Sequence, residues 1–299
     1  SVVFKPAELT PGSASLLVEI FQEAGLPDGV LNMVVGPGSQ VGDRIVKHPA
    51  IRAISFTGSN AVGGALYTQA AQRGAKVTCE MGGKNAVLVL PDADLEKAAV
   101  AIHAGAFGST GQRCTATSRV VVFPEVKDAL LEALIEKART IKVGNGLDES
   151  VTMGPAVDEK QFQTDLDYLD IAQADGAKLI YGGGKDEEAG NGYFVKPTIY
   201  DDVTPDMRIF QEEVFGPVLS VSTARSIEEA ISIGNAVEYG LTSSIFTQDI
   251  DTAMQFVEGV ETGMVHINEP TIGGEAQLPF GGTKSTGVGE REMAQEGLN

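Results

Sequence analysis

The chain has 299 residues, 42% of them hydrophobic and 21% charged, with 41 acidic against 22 basic side chains and a net charge of −19. That length allows a filled core and about two domains, no apolar run approaches the ~20 residues of a bilayer span, and the negative charge repels nucleic acid and anionic lipid. Two cysteines, Cys79 and Cys114, are too few for a disulfide framework and point to a reducing compartment such as the cytoplasm.

The opening "SVVFKPAELTPGS" has no initiator methionine and no basic-then-apolar leader, so a fragment of a longer protein that starts inside a strand is expected. After "VVF" a helix is predicted over "TPGSASLLVEIFQEAG", with Thr10 as cap, Pro11 at the first helical position and Gly25 at the exit. Then come "LNMVV", a helix around "SQVGDRIVKH", "IRAISF", a helix around "NAVGGALYTQAAQRG", and "KVTCE". The alternation β-α-β-α-β-α-β predicts a parallel sheet covered by helices, the architecture of a nucleotide-binding α/β domain. A second unit begins near "AVLVLPDADLEKAAVAIHAGAFGSTGQRC" and runs through "SRVVVF", helices over about 125–141 and 158–175, "GYFVKPTIYDDV", "GPVLSVSTA", two more helical stretches and "GMVHIN". The boundary falls near residue 80, between the two cysteines, with no repeat or low-complexity linker.

Several short stretches can carry chemistry. Gly36, Gly38 and Gly42 of "VVGPGSQVG" follow a strand and could bring backbone N–H groups to a phosphate, or simply form a turn. In "FTGSNAVGG", Gly58 gives flexibility and Ser59 can cap a helix or donate to a phosphate. "CEMGGKNA" puts Glu80 at a strand end before Gly82 and Gly83, the position where ligands gather in such sheets. "EEVFGPV" brings Glu212 and Glu213 beside a Gly-Pro turn. His48, His103 and His266 lack the spacing of metal ligands and read as structural. Cys114, in "STGQRCTATSR", is either a reactive thiol or a small packed residue.

Taken together and in this order, "FKPAE", "FTGS", "EMGGKNA", "GQRC", "EEVFGP" and the late "LPFGGTKSTGVG" resemble the NAD(P)-dependent aldehyde dehydrogenase family over essentially the whole chain. The resemblance implies an α/β, aldehyde dehydrogenase-like fold: part of a Rossmann-type cofactor domain over 1–80, a catalytic domain over 81–284 and a truncated return segment over 285–299. It implies that Cys114 attacks an aldehyde, that hydride leaves to the nicotinamide, and that Glu80 activates the water that hydrolyses the resulting thioester. Cys79 is then the packed cysteine. Lys5 and Glu8 match adenosine-ribose contacts, and a carboxylate there favours NAD over NADP. Gly38 and Ser39 match the loop near the adenine, while Gly58, Ser59 and Gly63 match the pyrophosphate turn. Met81 and Gly82 match backbone against the nicotinamide, and Glu213 and Phe215 match its ribose contacts.

The resemblance also implies what is missing. The family's first half, including an asparagine that shares the oxyanion hole with the cysteine N–H, has no counterpart in this sequence, and losing one such donor costs about 2.7–4 kcal/mol of transition-state stabilisation. This chain alone is therefore expected to be inactive or nearly so. The expected partner is a small-molecule aldehyde, with no nucleic acid, membrane or metal, and a homodimer or homotetramer for the full-length parent. The run "INEPTIGGEAQLPFGGTKSTG" resembles members that oxidise semialdehydes of dicarboxylic acids, for which Arg113 is a candidate carboxylate partner or else a structural ion pair. A cysteine esterase or hydrolase, and a catalytically silent relative of the fold, are the alternative readings.

Overall fold

The structure is a computed structural model and describes residues 1–295. It divides into two compact units, Ser1–Phe56 with Ala61–Thr78, and Thr57–Asn60 with the chain from Cys79 on.

The first unit holds β1 (Val2–Phe4), α1 (Pro11–Glu23), β2 (Leu31–Met33), α2 (Asp43–Lys47), β3 (Ala53–Thr57), α3 (Asn60–Gln72) and most of β4 (Lys76–Glu80). Pro11 starts α1 because its fixed φ suits the first turn and its missing N–H would have no helical acceptor there. Gly25 takes φ +90° at the exit, which a side chain would resist. Thr10 occupies the cap position without using its hydroxyl, contrary to expectation. The helix predicted around "SQVGDRIVKH" is a π-helical turn, Gly38–Gly42, running into α2, which stops at His48 because the residue before Pro49 is driven to extended backbone. Of α1, only Ala14 is buried, while Leu16, Leu17, Ile20 and Phe21 stay exposed.

The single parallel sheet expected here is not what forms among the described residues. β1 and β2 pair only with each other, in parallel, and β3 and β4 belong to a different sheet. Periodicity tells which segments are extended; it carries no information on which strand lies beside which.

The second unit is built on β5 (Asn85–Val89), α4 (Leu95–Phe107), β6 (Thr117–Val122), α5 (Pro124–Arg139), α6 (Glu159–Ala174), β7 (Lys178–Tyr181), β8 (Thr198–Asp201), α7 (Arg208–Gln211), β9 (Val218–Thr223), α8 (Ile227–Asn235), β10 (Tyr239–Gly240), β11 (Thr242–Phe246), α9 (Ile250–Gly259), β12 (Met264–Ile267), β13 (Thr283–Lys284) and β14 (Gly287–Val288). Seven strands form one sheet in the order β12-β11-β5-β6-β9-β8-β7, parallel except for the edge strand β7. Every residue of β5 is buried, and the apolar run that follows Asn85 suits a strand covered on both faces. One face packs on α4 and α5 through Ile102, Phe107, Leu130 and Leu134, and the other meets Phe256 and Ala230 of α9 and α8. Each such fully buried Leu, Ile or Phe contributes roughly 1.5–3 kcal/mol of transfer free energy. Side-chain caps at Asp94, Asp158, Ser226 and Asp249 fix where α4, α6, α8 and α9 begin. β14 returns antiparallel to the end of β4, pairing Gly287 with Glu80. Residues 296–299 of the expected return segment lie outside the described residues.

Candidate active site

Glu80 ends β4, and the segment that follows has its backbone groups tied down one by one. The Glu80 carbonyl accepts from the Gly58 N–H at 3.1 Å, and the Met81 N–H donates to the Thr286 carbonyl at 2.8 Å. The Gly82 N–H donates to Asn60 Oδ1 and the Gly83 N–H to Glu213 Oε1, both at 2.9 Å, and the Thr286 hydroxyl donates to the Gly82 carbonyl at 2.9 Å. A Cβ on Gly82 would run into the Glu213 carboxylate, so any larger residue there would have to displace that side chain from its bond to the Gly83 N–H. The Glu80 side chain is only 6% exposed and its Oε2 has no partner. Burial, then the Glu292 charge, push its carboxyl up to about 7 against the weaker pull of Arg291. A carboxyl titrating near neutrality can hold or release a proton at working pH, the requirement for a general base.

Cys114 sits on the turn between α4 and β6. Ser109, Thr110 and Gly111 take left-handed backbone at φ 54°, 60° and 67° and swing the chain round. The turn then closes through Arg113 N–H to the Gly111 carbonyl at 3.0 Å and Ala116 N–H to the Arg113 carbonyl at 3.1 Å. Cys79 is fully buried and Cys114 partly exposed. Burial pushes the Cys114 thiol up; the Thr115 N–H opposes this most, the Glu213 and Glu80 charges add to the rise, and the thiol's own backbone N–H lowers it. The thiol is therefore mostly protonated at neutral pH.

The third component is the loop carrying Glu212, Glu213 and Phe215. Glu212 is held by Arg208 in a two-pronged pair at 2.9 Å and by the Tyr168 hydroxyl at 2.7 Å, so it is structural. Glu213 faces Gly83 instead; burial raises its carboxyl, opposed by the Gly83 N–H and the Lys84 charge. Phe215 takes φ 60°, an uncommon conformation for an aromatic residue, and is 39% exposed. Gln161 of α6 holds this loop by donating to the Val214 and Phe215 carbonyls at 3.0 and 3.3 Å, and it also donates to Asp165 at 2.8 Å. Gly83, Lys84, Gly111, Arg113, Glu213 and Phe215 line a small cleft open to solvent, with Arg113 exposed.

The second unit thus brings together Gly58, Ser59, Glu80, Met81, Gly82, Cys114, Glu213 and Phe215. Lys5, Glu8, Gly38, Ser39 and Gly63 lie in the first unit. There Lys5 donates to the Pro6 carbonyl, Glu8 is exposed after β1, Gly38 and Ser39 open the exposed π-helical turn, and Gly63 is buried in α3. Ser59 immediately precedes α3. His103 is stacked edge-on against Phe107, and no cluster of metal-ligating side chains occurs among the described residues.

Sequence reasoning missed Asn60, Asn85, Gln161 and Thr286, which bond the backbone of the motif residues, and Asp165, which accepts from Gln161 and packs against Gly216. Asn85 alone left a signal, as the polar residue that opens the otherwise apolar run "NAVLVL". Asp165 is fully buried against Gly216, its Oδ2 has no partner, and burial raises its carboxyl from 3.8 to about 7. A carboxyl raised in the folded state favours folding below pH 3.8 and loses that contribution as pH climbs through 7. Asp165→Asn is accordingly expected to raise the Tm at pH 8, by an amount equivalent to about 1–3 kcal/mol, and to leave it unchanged near pH 4. Thermal melts across that range check the sign.

The α/β fold places a partly exposed thiol on a left-handed turn, and a buried carboxyl at a strand end followed by a glycine pair. The chain belongs to the aldehyde dehydrogenase family, whose profile it matches over residues 1–299. Among curated relatives it is 46% identical to alpha-ketoglutaric semialdehyde dehydrogenase of Bacillus subtilis over 297 residues, covering 99% of this chain and 61% of that protein. It is 47% identical to 2,5-dioxopentanoate dehydrogenase of Saccharolobus solfataricus over 301 residues, covering 100% and 62%. Its fold superposes with TM-score 0.96 and 38% identity on an NAD-dependent aldehyde dehydrogenase from Sinorhizobium meliloti, covering all of this chain and 59% of that one. Betaine aldehyde dehydrogenase from Staphylococcus aureus in complex with NAD+ gives TM-score 0.96 at 37% identity, covering 100% of this chain and 59% of that one. The chain therefore spans about three fifths of the length of the relatives it matches. No helix among the described residues is long and apolar enough to cross a membrane.

Proposed function

We propose that this chain carries the catalytic residues of an NAD-dependent dehydrogenase that oxidises an aldehyde to a carboxylic acid, with Cys114 as nucleophile and Glu80 as general base. The observation that carries the reading is a buried Glu80 carboxyl poised near pH 7 whose charge acts on the Cys114 thiol. NAD, when bound, supplies the hydride acceptor. Cys114 gives up its thiol proton to solvent and the Sγ thiolate attacks the aldehyde carbon to give a thiohemiacetal, whose oxyanion is met by the Cys114 backbone N–H. Loss of hydride leaves a thioester on Sγ, and Glu80 takes a proton from the water that attacks it, releasing the acid and the free thiol.

The residues on this chain fit the dinucleotide. Glycines at 82 and 83 let the backbone pass close beside Glu213, Ser59 immediately precedes α3 as a phosphate site requires, and Glu8 offers an exposed carboxylate to a ribose hydroxyl. Lys5, Gly38, Ser39, Gly58, Gly63, Met81 and Phe215 complete the proposed contacts. That carboxylate disfavours a 2′-phosphate, hence NAD rather than NADP.

The site belongs to a longer, cytoplasmic protein that assembles as a homodimer or homotetramer, and the 299 residues alone turn over slowly or not at all. An acidic semialdehyde is the proposed substrate, supported by relatives at 46–47% identity named for such substrates and by exposed Arg113 lining the cleft. Steady-state NADH formation by the full-length protein on a panel of neutral aldehydes and acidic semialdehydes tests this. The expected result is a kcat/KM at least about tenfold higher for the acidic members, the scale of one charge-assisted contact. Equal values across the panel would end the semialdehyde assignment, and ester hydrolysis without any NADH would favour a cysteine hydrolase.

A further inference from the structure

We propose that Asn85 is a positioning residue for Cys114: by clamping the peptide that joins Cys114 to Thr115, it aims the Thr115 N–H at the thiol and sets its reactivity. The proposal rests on the reading of Cys114 as nucleophile. Asn85 opens β5 and is 3% exposed. Its Nδ2 donates to the Cys114 and Ala116 carbonyls, each at 2.8 Å, and its Oδ1 accepts from the Thr242 N–H at 3.2 Å. The amide cannot be flipped, because a flip would set oxygen against two carbonyls and N–H against N–H.

In a trans peptide the carbonyl and the following N–H point in opposite directions. Drawing the Cys114 carbonyl toward Asn85 therefore turns the Thr115 N–H away from Asn85 and onto the Sγ side, where it is the strongest influence favouring the thiolate. The second bond, to Ala116, bolts the far end of the turn just before β6, where the pairing with β5 shifts register. Gly83 makes room for this clamp, since a Cβ there would lie 2.7 Å from the Cys114 carbonyl oxygen and 3.0 Å from Asn85 Oδ1. The charged groups acting on the same thiol are Glu80 from β4 and Glu213 from the loop before β9. Both oppose the thiolate, Lys84 favours the charged form of Glu213, and Arg113 on the turn is exposed. A directed backbone donor is thus what this turn has to set against two carboxylates.

The test is the pH dependence of iodoacetamide alkylation of Cys114, in a Cys79→Ala background so that one thiol reports, with Asn85→Ser, Asn85→Ala and Asn85→Asp. A midpoint about one unit higher in Asn85→Ala, hence about tenfold slower alkylation at pH 7, is expected, with a larger shift for Asn85→Asp and a smaller one for Asn85→Ser. Circular dichroism and Tm establish that the variants are folded, and a merely structural asparagine would lower Tm without moving the midpoint. Folded variants that keep the wild-type midpoint overturn the proposal. Should none fold, hydrogen exchange at the Thr115 amide of the unsubstituted chain decides. Protection of at least about tenfold that is lost in Cys114→Ala supports the clamp, and an unprotected amide overturns it. Failure of the underlying reading shows elsewhere, as aldehyde oxidation that survives Cys114→Ala in the full-length protein.

Discussion

Cys114→Ala in the full-length protein is expected to remove NADH formation from aldehyde, by about four orders of magnitude or more, while NAD binding and fold persist. The size follows from the proposed chemistry: without Sγ there is no thiohemiacetal from which hydride can leave. Cys79 cannot substitute, being fully buried with its thiol pushed up by burial and by Glu80. The stability cost is small, because the Cys114 side chain is partly exposed and the turn is held by backbone bonds and by Asn85 rather than by the thiol. Calorimetric NAD titration with an unchanged Kd, beside a kcat indistinguishable from background, is the expected pair of results. Turnover above a tenth of wild type would remove Cys114 from the mechanism.

Glu80→Gln is expected to separate the two halves of the reaction. In the proposed mechanism thioester formation does not use Glu80, so a burst of about one NADH per site should survive, followed by a steady state slower by 10²- to 10⁴-fold, the usual worth of a positioned base. The carboxyl is raised to about 7, so its basic form and hence wild-type deacylation increase as pH passes upward through that value; the amide has no such limb, and its profile should be flat. Stability moves the other way. The raised carboxyl favours the folded state below pH 4.5 and that contribution is lost as pH rises through 7, so Glu80→Gln should melt higher than wild type at pH 8 and equally at pH 4. A variant that loses activity through misfolding would show neither the burst nor the gain in Tm.

Much of this arrangement is legible in the residues themselves. Pro11 and Gly25 mark the ends of α1, and α5 and α6 fall within two residues of their expected spans, because capping, proline geometry and apolar periodicity act over a few neighbours. The strand-end position of Glu80 follows from the same local signals. The partition of strands does not: β1 and β2 form their own pair, and β4 takes β14 as an antiparallel neighbour across two hundred residues of chain. Nothing local in "KVTCE" anticipates "GV". The supporting polar residues were hidden for the same reason. Asp165 looks like one more acid on a solvated helix until Gly216 and Gln161 are brought against it, and Asn60 looks like a helix start until its Oδ1 meets the Gly82 N–H.

The central place of β5 governs when the site can exist at all. The Asn85 amide that holds the Cys114 turn is itself oriented by the Thr242 N–H, 157 residues further along the chain. At a synthesis rate of roughly 5–20 residues per second, a nascent chain carries the Cys114 thiol for several seconds before β11 has been made. During that interval the thiol is an ordinary cysteine on an unfinished sheet, without its clamp. On the role proposed for Asn85, the setting of the Cys114 thiol therefore waits on the arrival of β11 beside β5.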